Sequence, residues 1–169
     1  IYGFVLHSNW IVQNGVYYAL LTLMRFIIIR GAEKNEEDKA LKLSSIILSI
    51  SSFHYLLMVL EMYLHASSPH YPGYIVYGAS LYAFIKVGVA IKGCIKLKTT
   101  ATPAIVAGNN LKISHAFVSL IFLESGMLNI FGEGTEEERL ILLISGLVVV
   151  AYLFVSGPLL IVWNKRNKV

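Results

Sequence analysis

The sequence predicts an all-α, polytopic transmembrane helix bundle, and three observations carry that prediction. Of its 169 residues, 56% are hydrophobic and 14% charged, with a mean hydropathy of +0.67; a soluble domain needs more polar surface than this. Five apolar runs each reach the roughly 20 residues that a spanning helix requires. Lysines and arginines gather in alternate connections between those runs, as they do in multi-pass proteins.

The first span, residues 10–29, carries Trp10, Asn14 and Arg25, which do not suit the apolar stretch of a signal peptide. The others are predicted at 43–64, 74–95, 113–131 and 140–163, as a single transmembrane domain over 1–169. The connection 30–42 holds Arg30, Lys34, Lys39 and Lys42. The connection 96–112 begins with Lys96 and Lys98, ends with Lys112, contains Pro103 and the pair Asn109–Asn110, and has no acidic residue. The tail carries Lys165, Arg166 and Lys168. By contrast 65–73 has no Lys or Arg, and 132–139 sets Arg139 beside glutamates whose run 136–138 reads as a solvated loop face. The positive-inside rule then puts 30–42, 96–112 and the C-terminus in the cytoplasm and 65–73 and 132–139 outside. Residue 1 falls outside in that orientation, so a sixth span upstream of Ile1 is expected. Trp10, Tyr63, Tyr71, Tyr74 and Tyr77 would form an outer aromatic belt and Trp163 an inner one.

Arg25, Glu61, Lys86 and Glu124 fall inside these spans. A charge in hydrocarbon is costly, so each is expected to face protein or a watery cavity. Spacings of three and four define the faces. In the second span one stripe carries Ser44, Ser51, His54, Glu61 and His65, too polar to face lipid. In the third, Lys86 lies among Ala79, Ala83, Ala90 and Gly93; small residues allow close helix approach, so this face is expected to point inward. In the fourth, Glu124 shares its face with Phe117, Leu120 and Leu128, with His115 half a turn round. A partner helix bearing Arg or Lys, a subunit interface, or protonation would each accommodate it. In the fifth, Ser145, Tyr152 and Ser156 share a face, Ser145–Gly146 and Ser156–Gly157 read as helix-packing pairs, and Pro158 is expected to kink the helix near Phe154. Plainer roles compete throughout: snorkelling for Arg25 and Lys86, a water-exposed outer end for Glu61, a hydrogen-bonded core histidine at His54, a structural interhelical bond at Glu124.

Other chemistry finds little support. Glu61, His65 and His70 are a weak metal set without an HExxH or paired ExxH pattern, and no cofactor is indicated. No G-x-S-x-G or other nucleophile–base motif is present, which argues against an enzyme. Cys94 is the sole cysteine, so no internal disulfide can form. The net charge of +4 comes without an aromatic-lined basic groove and points to lipid headgroups, not nucleic acid.

The segments YYALLTLMRF (17–26), YPGYIVYGASLYAFIK (71–86), ISHAFVSLIFLESGML (113–128) and FGEG (131–134) resemble a family of small polytopic bacterial membrane proteins of Firmicutes type. The resemblance implies a bacterial plasma membrane and one further upstream helix. It also implies that the Glu124 position is more often glutamine, so that a charge there is dispensable to the fold. It implies no activity.

The expected function is a small transporter or transporter subunit, its polar interior formed by Arg25, His54, Glu61 and Lys86, with Glu124 as a further candidate. An anionic or zwitterionic solute would engage Arg25 and Lys86, while His54 and Glu61 would relay protons. The alternative is an accessory subunit whose intramembrane charges pair with one another, with a membrane-protein partner, or within a homo-oligomer.

Overall fold

A computed structural model describes residues 9–34, 36–65, 73–97 and 102–166. They form five α-helices: α1 (Asn9–Glu33), α2 (Glu37–His65), α3 (Gly73–Leu97), α4 (Pro103–Phe131) and α5 (Glu136–Arg166). All five are long and apolar enough to cross a bilayer, and the protein is a multi-pass membrane protein.

The helices run past the predicted span limits because hydropathy registers only the part that lies in hydrocarbon. The largest difference is at α4, which starts ten residues earlier than its predicted span at 113. Most of the expected loop 96–112 is therefore helix, including Asn109, Asn110 and Lys112. The start signal is local: Thr102 adopts an extended conformation, its side chain accepts from the Ile105 N–H at 3.3 Å, and Pro103 occupies the first turn, where no amide donor is needed. Similarly, Glu136 to Arg139, expected in a loop, open α5. Here Thr135 and Glu138 form a capping box. The Glu138 N–H donates to Thr135 Oγ1 at 3.3 Å, and the Glu138 carboxylate accepts from the amides of Glu133 (3.0 Å) and Gly134 (2.9 Å). Gly134 takes φ +72°, which a side chain would disfavour. Glu138 thus organises the turn instead of merely facing solvent. α5 runs as one helix through Pro158.

α2 is central and α3 peripheral: half of the apolar window of α2 is buried, against 17% for α3. The core joins Tyr17, Leu21 and Met24 of α1 to Leu48, Tyr55 and Met58 of α2, with Val118 of α4 and Leu153 of α5. The α2–α5 seam is close because α5 presents glycines. A Cβ at Gly146 would fall 2.8 Å from both γ carbons of Val59, and one at Gly157 would fall 3.1 Å from the Ser45 carbonyl oxygen. The two Ser–Gly pairs therefore do act in helix packing. Asn164 closes one end of the seam by donating to Asp38 at 2.8 Å. α3 packs on α4 through the small-residue face predicted for it, with Ala83, Ala90 and Gly93 buried; Gly93 lies directly against the Asn109 side chain.

Candidate functional site: a cationic cleft between three helices

α1 and α3 both pack against α4, yet among the described residues no α1 Cα comes within 8 Å of an α3 Cα. A cleft of about 500 Å³ lies between them, with α4 as its floor. Arg25 projects from α1, Lys86 and Lys96 from α3, and Lys112 and His115 from α4; among the described residues Glu33 is the only carboxylate on its lining. The walls between these groups are apolar, formed by Ile28, Ile29, Val89, Ile105 and Leu111. Lys96, Glu33 and Ile105 stand near the ends of their helices, so the cleft opens at the face where α1 and α3 end and α4 begins. Lys86 lies ten residues before Lys96, about 15 Å deeper at the helical rise.

Rings gather beyond Lys86. Tyr18 of α1 meets Tyr82 of α3 edge-on with centroids 6.5 Å apart, and His115 stands behind Tyr18 at 5.7 Å. The Lys86 ammonium sits 4.8 Å from the Tyr82 ring centroid, a cation–π contact that steadies it without neutralising it. Among the described residues neither Arg25 nor Lys86 has a carboxylate within ion-pair distance; the pair formed there, Lys39–Glu36, is solvent-exposed near the start of α2.

The remaining predicted site residues lie elsewhere. His54 and Glu61 meet α1 through one residue, Gln13. The Gln13 amide donates to the Glu61 carboxylate, and His54 Nε2 donates to the Gln13 carbonyl oxygen at 3.1 Å. Since a carbonyl only accepts, that bond places a proton on Nε2. Gln13 was not singled out from the sequence, because a lone glutamine at a span's end carries no spacing signal. Glu124 points to α5, where Ser145 Oγ donates to it at 2.8 Å. Neither a basic helix nor an outer face holds Glu124; a neutral hydroxyl does. About two helical turns further along α5, Tyr152 donates to Asn110 Oδ1 at 2.6 Å. The polar interior is thus divided: a cleft with Arg25 and Lys86, an α1–α2 contact with His54 and Glu61, and an α4–α5 contact with Glu124.

Lys96 and Lys112, taken from the sequence as loop charges that orient the protein, both line the cleft. Of the weak metal set, the His65 side chain and all of His70 lie outside the described residues, as do Tyr71 and the side chains of Trp10 and Trp163 from the aromatic belts.

No protein-family model matches the chain, and no curated protein and no solved structure is significantly similar to it.

Proposed function

We propose that the protein is a small membrane transporter, or the substrate-binding subunit of one, whose anionic substrate occupies the cleft at Arg25 and Lys86. One observation carries this reading: four cations line a single cavity against one carboxylate. Charges kept only to pair helices would be expected to meet opposite charges, as the accessory-subunit alternative requires. Arg25 and Lys86 instead face a space large enough for a ligand, where an anion would be held by charge-assisted hydrogen bonds. The apolar walls strengthen those bonds by excluding water.

In this reading His54 and Glu61 handle protons at the α1–α2 contact, with Gln13 linking the two. The protein sits in a bacterial plasma membrane, as its resemblance to small Firmicutes-type polytopic proteins implies. The cleft then opens to the cytoplasm, the side to which the excess of lysine and arginine assigns it.

Mass spectrometry of ligands retained through native purification identifies the anion, and proteoliposomes measure its uptake. Lys86→Met is expected to lower uptake by weakening anion binding. Glu61→Gln is expected to abolish uptake while anion binding persists. Normal uptake by both variants, with membrane insertion verified, refutes the transport reading.

A further inference from the structure

We infer that the cleft's ligand is an anionic amphiphile, a phosphate or carboxylate headgroup on an apolar chain, which reaches Arg25 and Lys86 sideways from the bilayer. This rests on the anion-binding reading above and names the class of substrate.

The first reason is the open flank. Among the described residues no α1 Cα comes within 8 Å of an α3 Cα, so helices bound the cleft on three sides and the fourth, in a bilayer, would face lipid. Arg25, on α1, is exposed at this flank. An ionised guanidinium facing hydrocarbon is unfavourable without water or a counter-ion, and a lipid headgroup drawn inward supplies the counter-ion from the adjoining phase.

The walls give the second reason. Ile28, Ile29, Val89, Ile105 and Leu111 lie between the cations. A fully hydrated inorganic anion would leave these side chains against water. An amphiphile satisfies both kinds of surface, with its headgroup on the cations and its chain along the aliphatic residues. The volume of about 500 Å³ is in the range that encloses drug-sized ligands, well beyond a single phosphate.

The third reason is the ring contact beyond Lys86. Tyr18 of α1 and Tyr82 of α3 meet there at 6.5 Å, and a ligand exchanging through the flank need not pass between them. The cations also descend in steps, from Lys96 and Lys112 to Lys86, which gives a headgroup a continuous path from the membrane face inward.

Gly108 supplies a steric test. It lines the cleft, and a Cβ added there meets nothing within 4 Å. Gly108→Leu therefore narrows the cavity while leaving its charge unchanged, and it stands in if a charge variant fails to fold. The protein is purified in neutral maltoside micelles, and binding of phosphatidylglycerol, phosphatidylcholine and inorganic phosphate is measured by native mass spectrometry and by thermal shift. One phosphatidylglycerol per chain is expected to bind in preference to phosphatidylcholine. Arg25→Met and Lys86→Met should each weaken it roughly fivefold, and Gly108→Leu should weaken it by taking up part of the space. Inorganic phosphate at millimolar concentration should not displace it. Equal retention of the two lipids, or full phosphatidylglycerol binding by Gly108→Leu, overturns the inference. If phosphate binds in an Lys86-dependent way and the lipid does not, the amphiphile is wrong and the anion site stands. If neither binds, both readings fall.

Discussion

The α2–α5 seam and the α1–α3–α4 cleft treat space and polarity in opposite ways. Along the seam, glycines bring two helices so close that a methyl group has no room, and Asn164 and Asp38 satisfy each other at its end. In the cleft, a glycine of α4 faces open space, and among the described residues Arg25 and Lys86 have no carboxylate in ion-pair range. The α1–α2 and α4–α5 contacts resemble the seam: Glu61 has Gln13 and Glu124 has Ser145. An intramembrane charge is therefore not one kind of signal. Where a hydrogen-bond partner meets it at a helix contact, it belongs to the packing. Where none does and a cavity lies in front of it, it is available to a ligand.

The sharpest way to break the comparison is to make one substitution in both regions. Gly146→Leu should be strongly destabilising, because its first added carbon already falls 2.8 Å from Val59 on the central helix. Overpacking of this kind costs about 1–3 kcal/mol. Gly108→Leu should be neutral or slightly stabilising, since it adds helix propensity without a clash. Thermal unfolding in detergent checks both, and a loss at Gly108 as large as at Gly146 would mean that the cleft is not open space.

Much of this division was legible before any coordinates. Five apolar runs announce five helices because hydrocarbon demands about 20 apolar residues from each. The Ser–Gly pairs of α5 and the alanine face of α3 announce close packing, and both are used so. Arg25 and Lys86, both expected from the sequence to face the interior, share the cleft in the structure. The pairing of faces was not legible. The stripe from Ser44 to Glu61 shows that one side of α2 turns inward, but a helical wheel cannot say that Gln13 waits there. Periodicity gives a direction and not a neighbour. Lys112 and Asn110 were hidden for a different reason: polar residues near a helix end lower the local hydropathy, so they look like loop, although Thr102–Pro103 marks the true start.

A smaller effect is expected at the α4–α5 contact. Tyr152→Phe keeps the edge-to-face packing on Phe117, whose ring centroid is 4.9 Å away, but removes the hydroxyl that donates to buried Asn110. Interhelical hydrogen bonds in bilayers contribute about 0.6 kcal/mol on average and about 1.7 at most, so a loss in that range should appear in the unfolding midpoint. Binding in the cleft should be unchanged, because the Tyr152–Asn110 bond belongs to the packing. A variant that unfolds normally yet no longer binds anions would join the α4–α5 contact to the cleft and remove the division.

The smallest effect is expected where a charge itself is changed. Glu124→Gln replaces a carboxylate with an amide of nearly the same shape, and the amide oxygen can accept from Ser145 Oγ as the carboxylate does at 2.8 Å. If Glu124 serves only as an acceptor between α4 and α5, the substitution should shift stability by less than about 0.5 kcal/mol and leave both uptake and cleft binding intact. Glu124→Leu gives the contrast, since it leaves the Ser145 hydroxyl only its backbone carbonyl acceptors, Ile141 at 2.9 Å and Leu142 at 3.2 Å. The single hydroxyl proton can turn to either of them once Glu124 is gone, so even this variant should lose no more than a single interhelical bond is worth. A Glu124→Gln protein that folds but loses uptake would show that the charge itself is required, and Glu124 would then belong with Lys86 and not with the packing.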